Sequence, residues 1–177
     1  MNGSDRNIRF EEVVLPHLDA GYNLARWLTG NEHDAEDVVQ EACLRAFRFI
    51  DSCRGESARP WLLSIVRNTC FTWLKRNRPN VPHVPLDDVE TEIEDGATQP
   101  GLAALQKCEA ETVRKALDEL PAEFREILVL REFEGLSYKE IADIIEAPVG
   151  TVMSRIARAR QRLQQALLKS QTLEQLP

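Results

Sequence analysis

Apolar residues recur along this chain at three- and four-residue intervals, and no stretch sustains strict alternation of apolar and polar positions. That periodicity predicts helices and excludes a strand-based core. Leu18, Tyr22, Ala25 and Leu28 place a first helix from about Phe10 or Pro16 to Leu28, stopped by Thr29-Gly30-Asn31. Val39, Ala42, Cys43, Ala46 and Ile50 form the inner stripe of a second helix, from about Asp34 to Ile50. After the loop DSCRGESA, a third helix runs from about Arg59 to Arg78, with Leu62, Ile65, Val66, Thr69 and Trp73 inward. Its outer face carries Ser64, Arg67, Asn68, Phe71, Lys75 and Arg78.

The periodicity then lapses. NVPHVPLDDVETEIEDGATQPG combines prolines, glycines and acids, which is linker composition. Helical spacing resumes from Leu102 to Leu120, and Pro121 suits the first turn of a helix reaching about Phe133, where Gly135 breaks it. Ser137 followed by Glu140 is a capping box opening a helix to about Glu146. Ala147-Pro148 forms a corner, and a last helix follows. Ile141, Ala142 and Ile145 face Val152, Ile156, Ala159 and Leu163 across that corner. The expected fold is therefore all-α. An N-terminal domain of three to four helices (residues 1–79) and a C-terminal four-helix domain (107–177) are joined by a flexible acidic linker (80–106).

Charge adds a second layer. The 177-residue chain has a formal net charge of -7, yet residues 54–79 carry +5, residues 80–112 carry -7 and residues 148–169 carry +5. Two basic blocks flank an acidic connector, and basic blocks are candidate phosphate-binding surfaces. The final helix has no acid between Val149 and Leu163 but four arginines. Two short helices meeting at a tight corner, the second one basic, suggest a helix-turn-helix. Thr151, Ser154, Arg158 and Gln161, flanked by Met153, Arg155 and Ala157, are its outward positions, placed to reach base edges and phosphates. On the third helix an aromatic among cations and an amide suits single-stranded or distorted DNA. On the second, Asp37, Gln40, Glu41 and Arg45 form a charged side suited to a basic protein partner.

Other chemistries are poorly supported. Cys43, Cys53, Cys70 and Cys108 form no CxxC pair and fit buried thiols in a reducing compartment. No metal site, cofactor site or catalytic constellation is expected. Asp87, Asp88, Glu90 and Glu92 sit in linker sequence, which seldom holds carboxylates in place for a nuclease. No apolar run approaches the roughly 18 residues of a membrane span, and MNGSDRNIRFEE lacks the apolar segment of a signal peptide. A cytoplasmic protein without membrane insertion is expected.

DAEDVVQEACLRAFRFIDSCRGESARPWLLSIVRN, followed by LSYKEIADIIEAPVGTVMSRIARARQRL, resembles the bacterial extracytoplasmic-function sigma factors, from about Phe10 to Leu168. The resemblance implies a promoter-specificity subunit of RNA polymerase. Asp34, Asp37, Gln40, Glu41 and Arg45 match positions that meet the clamp helices of the largest polymerase subunit. Arg54, Ser57, Arg67, Asn68, Phe71 and Lys75 fall in the element that reads and melts the minus-ten DNA. Thr151, Met153, Ser154, Arg155, Ala157 and Arg158 lie on the reader of the minus-thirty-five element, with Tyr138 and Lys139 at phosphate-contacting positions. Met153 and Ala157 depart from the polar, basic or aromatic residues the family often carries there. The family further implies promoter DNA, the polymerase flap and an anti-sigma factor as partners. The runner-up is a stand-alone dimeric helix-turn-helix regulator.

Overall fold

The computed structural model describes residues 3–54, 58–84 and 110–174. Every element among the described residues is helical. The N-terminal half comprises α1 (Gly3–Val14), a 3-10 turn (Leu15–His17), α2 (Leu18–Thr29), α3 (Glu32–Arg48), a second 3-10 turn (Ile50–Ser52) and α4 (Ala58–Asn77). The C-terminal half comprises α5 (Ala110–Asp118), α6 (Ala122–Leu128), a π-helical turn (Val129–Phe133), α7 (Tyr138–Ile145) and α8 (Val149–Glu174).

The helix ends follow from local chemistry. Gly30, at φ 88°, ends α2 in the left-handed conformation that glycine adopts without steric cost. Asn31 caps α3, its side chain accepting the Asp34 N–H at 2.9 Å, so α3 starts two residues earlier than the periodicity suggests. Ser137 and Glu140 make both halves of the expected capping box, at 3.2 and 2.8 Å. The corner before α8 passes through Glu146 at φ 54°, a left-handed non-glycine residue.

The first helix is corrected. It starts at Gly3, and Pro16 sits in a 3-10 turn separating α1 from α2. Pro has no N–H to continue an α-helical ladder, so the chain tightens and bends there. α1 is held by its cations. Arg6 donates to the Phe47 carbonyl at 3.0 Å and Arg9 to that of Cys53 at 2.7 Å. Carbonyls at a helix C-terminus lack intrahelical partners and favour positive charge. Phe10 meets the edge of Phe47, with ring centroids 5.5 Å apart.

Leu24, Leu28, Val38, Ala42, Ala46, Leu62, Leu63 and Val66 build the N-terminal core. Gly21 lets α2 approach α4: a Cβ there would lie 3.2 Å from a Val66 methyl. In the C-terminal half Val152, Ile156, Ala159 and Leu163 are buried with Ile141, Ala142 and Ile145, as their spacing predicts. The inner face of α4 is turned from the expected one. Leu63, Cys70 and Leu74 are buried, whereas Ile65 and Trp73 are only partly covered. The cause is that α4 packs on two sides, against α2 and α3 and also along α7 of the other half.

The halves are thus docked. Arg67 of α4 meets Glu126 of α6 at 2.7 and 3.0 Å, and Arg59 meets Glu134 at 2.7 Å. Arg125 donates to the Trp27 carbonyl at 2.8 Å, and the Trp27 and Phe133 rings lie 5.5 Å apart. His83, just past α4, contacts Glu123 at 2.8 Å. Most of the acidic linker lies outside the described residues.

Candidate nucleic-acid interface

The face of α3 expected to meet a protein partner is open. Asp37, Gln40 and Glu41 are exposed, and Asp34 and Arg45 are half-exposed. Arg45 pairs with Glu41 one turn back, which orders the face without burying it. Leu44 lies among these charges and is 66% exposed, and Phe49, just past the helix, is 61% exposed. Helical spacing already sets Leu44 off the buried stripe, so this apolar spot was readable in the sequence although not singled out there.

On α4, Asn68 and Lys75 are exposed and Phe71 is half-buried. The Arg67 guanidinium lies 4.6 Å over the Phe71 ring while its Nε and one terminal nitrogen grip the Glu126 carboxylate. Glu126 is fully buried and the Arg67 side chain is 14% exposed. Burial raises the Glu126 carboxyl above its ordinary value, with the Arg67 charge and hydrogen bonds working against it. Burial also works to lower Arg67, but the carboxylates of Glu126, Glu146 and Glu123 together carry it above its usual range. Arg54 is exposed, and Ser57 lies outside the described residues.

The start of α8 divides differently from the helical wheel. Met153, at 47% exposure, and Ala157 face solvent, with Thr151 and Arg158 partly covered. Ser154 and Arg155 are buried, at 8% and 4% exposure. The Ser154 hydroxyl donates to the Thr151 carbonyl at 3.1 Å. Burial lowers Arg155 while Glu126 and Glu123 oppose the shift, so Arg155 shares the electrostatic environment of the Arg67–Glu126 pair. Ahead of the corner, Lys139 is exposed and the Tyr138 ring lies 4.6 Å beneath the Arg131 guanidinium. Arg67 from α4 and Arg155 from α8 thus meet the Glu126 and Glu123 carboxylates of α6. Sequence spacing did not reveal Glu126, Glu123 and Glu134, because their partners are distant along the chain.

Cys53 and Cys70 are buried and Cys43 is half-buried, and burial raises all three thiols. Such thiols are poor nucleophiles and poor metal ligands in this state. Among the described residues no cluster of His, Cys, Asp and Glu is arranged to hold a metal ion. Nor is any helix there long and apolar enough to cross a membrane.

Two helical halves, the second ending in a helix-turn-helix, match known proteins. The family described as "Sigma-70 region 2" matches residues 13–79, and "Sigma-70, region 4" matches residues 110–163. The chain belongs to the sigma-70 family. Its relatives place it in the extracytoplasmic-function branch. It is 40% identical over 137 residues to the ECF RNA polymerase sigma-E factor of Escherichia coli K12, covering 73% of this chain and 72% of the relative. It is 38% identical to the RNA polymerase sigma-H factor of Pseudomonas aeruginosa, covering 89% and 86%. Against the ECF RNA polymerase sigma factor SigE of Mycolicibacterium smegmatis it is 37% identical over 90% of its own length, but spans only 62% of that protein. Among solved structures it is similar to the sigma factor RpoE in complex with the anti-sigma factor NepR from Bartonella quintana. The TM-score is 0.67, with 32% identity over 90% of this chain and 96% of that one. It is also similar to CnrH in complex with the cytosolic domain of CnrY, with TM-score 0.63, 28% identity and coverage of 91% and 88%.

Proposed function

We propose that this chain is an alternative sigma factor: it binds core RNA polymerase, brings it to a promoter and stabilises the melted DNA there. The observation that carries this reading is the pairing, in one chain, of an open charged α3 face with a helix-turn-helix. A stand-alone dimeric regulator needs the second and leaves the first without a role, and the relatives do not favour it. The domain limits follow the same division of labour: residues 1–79 for polymerase and the minus-ten element, 80–106 as tether, 107–177 for the minus-thirty-five element.

Asp34, Asp37, Gln40, Glu41 and Arg45 would face the clamp helices of the largest subunit, with Leu44 adding apolar contact at the centre of a polar rim. Arg54, Ser57, Arg67, Asn68, Phe71 and Lys75 would hold the minus-ten strand. Cations take the phosphates, and Asn68 and Phe71 take a base displaced from the stack. Thr151 and Arg158 would read the minus-thirty-five major groove, with Tyr138 and Lys139 on phosphates, whereas Ser154 and Arg155, expected beside them, are buried and would reach the groove only after their cover moves. Met153 and Ala157 offer apolar contact, which suits a thymine methyl group. The protein itself breaks no bond: base contacts of about 1–3 kcal/mol each offset unstacking costs of a few kcal/mol per step. It works in the cytoplasm, with an anti-sigma factor as the partner that withholds it from polymerase and the flap as a second polymerase contact.

The test is co-elution with purified core polymerase. The wild-type chain forms a one-to-one complex, and Glu41→Arg with Leu44→Asp weakens it at least tenfold while the isolated variant keeps its helical circular dichroism. Absence of a complex for the wild-type chain refutes the reading.

A further inference from the structure

None of the roles proposed above falls on α1. Yet three of its side chains, within one helical turn of each other, tie it to the far end of α3. Arg6 donates to the Phe47 and Arg48 carbonyls at 3.0 and 3.3 Å and lies 5.3 Å over the Phe47 ring. Phe10 meets the edge of the same ring. Arg9 reaches further, past the 3-10 turn, and donates to the Cys53 carbonyl at 2.7 Å. That carbonyl belongs to the peptide linking Cys53 to Arg54, so Arg9 grips the backbone from which Arg54 projects. Cys53 is where the chain leaves helical geometry. Its N–H closes the 3-10 turn on the Ile50 carbonyl at 3.1 Å, while its own φ and ψ, -72° and 122°, are extended. The residue is 1% exposed. A carbonyl at such a place has no helical partner, and leaving it buried without a donor costs its desolvation. Arg9 supplies a charged donor, which makes the shorter and stronger kind of hydrogen bond. Arg54, the next residue, is exposed. A buried and pinned residue thus immediately precedes a solvent-facing cation.

We propose that Arg9 is a positioning residue for promoter melting: α1 is a brace that fixes the Cys53–Arg54 peptide, so that Arg54 meets the displaced minus-ten strand already oriented. The inference rests on the sigma-factor reading for the role of Arg54, and adds to it a residue that touches no DNA itself. A cation held in place before the strand arrives needs no ordering at the moment of melting, whereas a loose one must be fixed then. Recruitment of the intact duplex draws instead on phosphate attraction spread over many cations, which does not need that precision. Arg9 therefore acts on the melting step more than on recruitment.

The experiment uses the full chain with core polymerase on a promoter taken from a random-sequence library, and compares wild type, Arg9→Ala, Arg9→Lys and Val38→Ala. Val38 is 1% exposed within α3, and its truncation controls for lost stability alone. Recruitment is read as holoenzyme binding to the duplex in the cold, and melting as permanganate reactivity on warming. Arg9→Ala should lower melting about tenfold, the lower limit for losing a hydrogen bond to a charged group, with recruitment within about twofold of wild type. Arg9→Lys keeps a charged donor and should recover most of that loss. Val38→Ala should melt the promoter as wild type does. Iodoacetamide labelling resolved by residue in mass spectrometry reads the brace itself: Cys53 should label several-fold faster in Arg9→Ala, with Cys70 unchanged. Equal losses of recruitment and melting make Arg9 a phosphate contact or a mere fold residue, and overturn the proposal. So does unchanged melting in Arg9→Ala, an Arg9→Lys variant no better than Arg9→Ala, a melting loss of the same size in Val38→Ala, or Cys53 labelling that stays at the wild-type rate. Each of these results with run-off transcription intact leaves the sigma-factor reading standing. A wild-type chain that gives no run-off with core polymerase strikes that reading and takes the proposal with it.

Discussion

Breaking and then replacing the Arg67–Glu126 pair probes how the two halves are joined. The perturbations are Arg67→Met, Glu126→Leu and the double variant. Glu126 is fully buried and the Arg67 side chain only 14% exposed, so each single change strands an opposite charge or its empty socket in a dry site. Removing one partner of a buried pair costs about 3–5 kcal/mol, whereas replacing both with apolar groups is often neutral or stabilising. Here the loss has a ceiling. Once the stranded charge costs more than docking of the halves supplies, the halves part and the charge is hydrated. The remaining docking contacts include Arg59–Glu134, His83–Glu123, Arg125 on the Trp27 carbonyl, the tilted Trp27–Phe133 ring pair and the packing of α4 along α7. Each single variant should therefore lose about 3 kcal/mol, at the lower end of that range. The double variant should lose no more than about 1 kcal/mol, giving a coupling of about 5 kcal/mol. Urea unfolding followed by circular dichroism measures all four proteins, with the slope checked for constancy. A coupling below about 0.5 kcal/mol, the level of simple additivity, refutes the buried pair and the docking built on it.

Three further outcomes follow from named residues. Ser137→Ala should cost about 1 kcal/mol at neutral pH by removing one half of the capping box. Hydrogen bonds from the Ser137 backbone and hydroxyl hold Glu140 below the ordinary carboxylate range. The stability Glu140 contributes is thus present above its unfolded value of about 4.3 and is lost as pH falls through its folded value. In Ser137→Ala, pH-dependent unfolding curves should show a shallower acid-side loss. Gly135→Ala should cost about 1–2 kcal/mol in thermal unfolding, because φ at Gly135 is 66° and a Cβ strains that conformation although nothing crowds it. Asn68→Ala, at an exposed site on α4, should impair open-complex formation, read by permanganate reactivity, more than initial promoter recruitment; equal losses refute a melting role for Asn68.

The helix-turn-helix was legible in the sequence because its determinants are local. The capping box spans three residues, and the apolar positions of α7 and α8 repeat at one helical turn. The stop at Gly30 and the break at Gly135 were visible for the same reason: both need a left-handed backbone. α1 was not, since GSDRNIRF has few apolar residues and is fixed by Arg6 and Arg9 reaching carbonyls more than forty positions away. The π-helical turn was hidden as well. One extra residue in a helical turn shifts the register without changing composition, and here it accompanies Phe133 on Trp27 and Glu134 toward Arg59. Solvent-facing positions for Ser154 and Arg155 were drawn from a wheel of α8 alone, which takes no account of neighbouring elements. Likewise α4 is buried on two sides, and a single-stripe reading of it misplaced Ile65 and Trp73 and passed over Leu63. Charge blocks indicated that basic surfaces exist, but not that Glu126 and Glu134 would cover part of one of them.

The most direct measurement is run-off transcription by purified core polymerase, with and without this chain, on a library of random promoter sequences. Transcripts should start only when the chain is added, and the templates used should share two spaced elements at fixed separation. Start sites that do not change on its addition, or gene control by the chain alone at a palindromic site, would contradict the account.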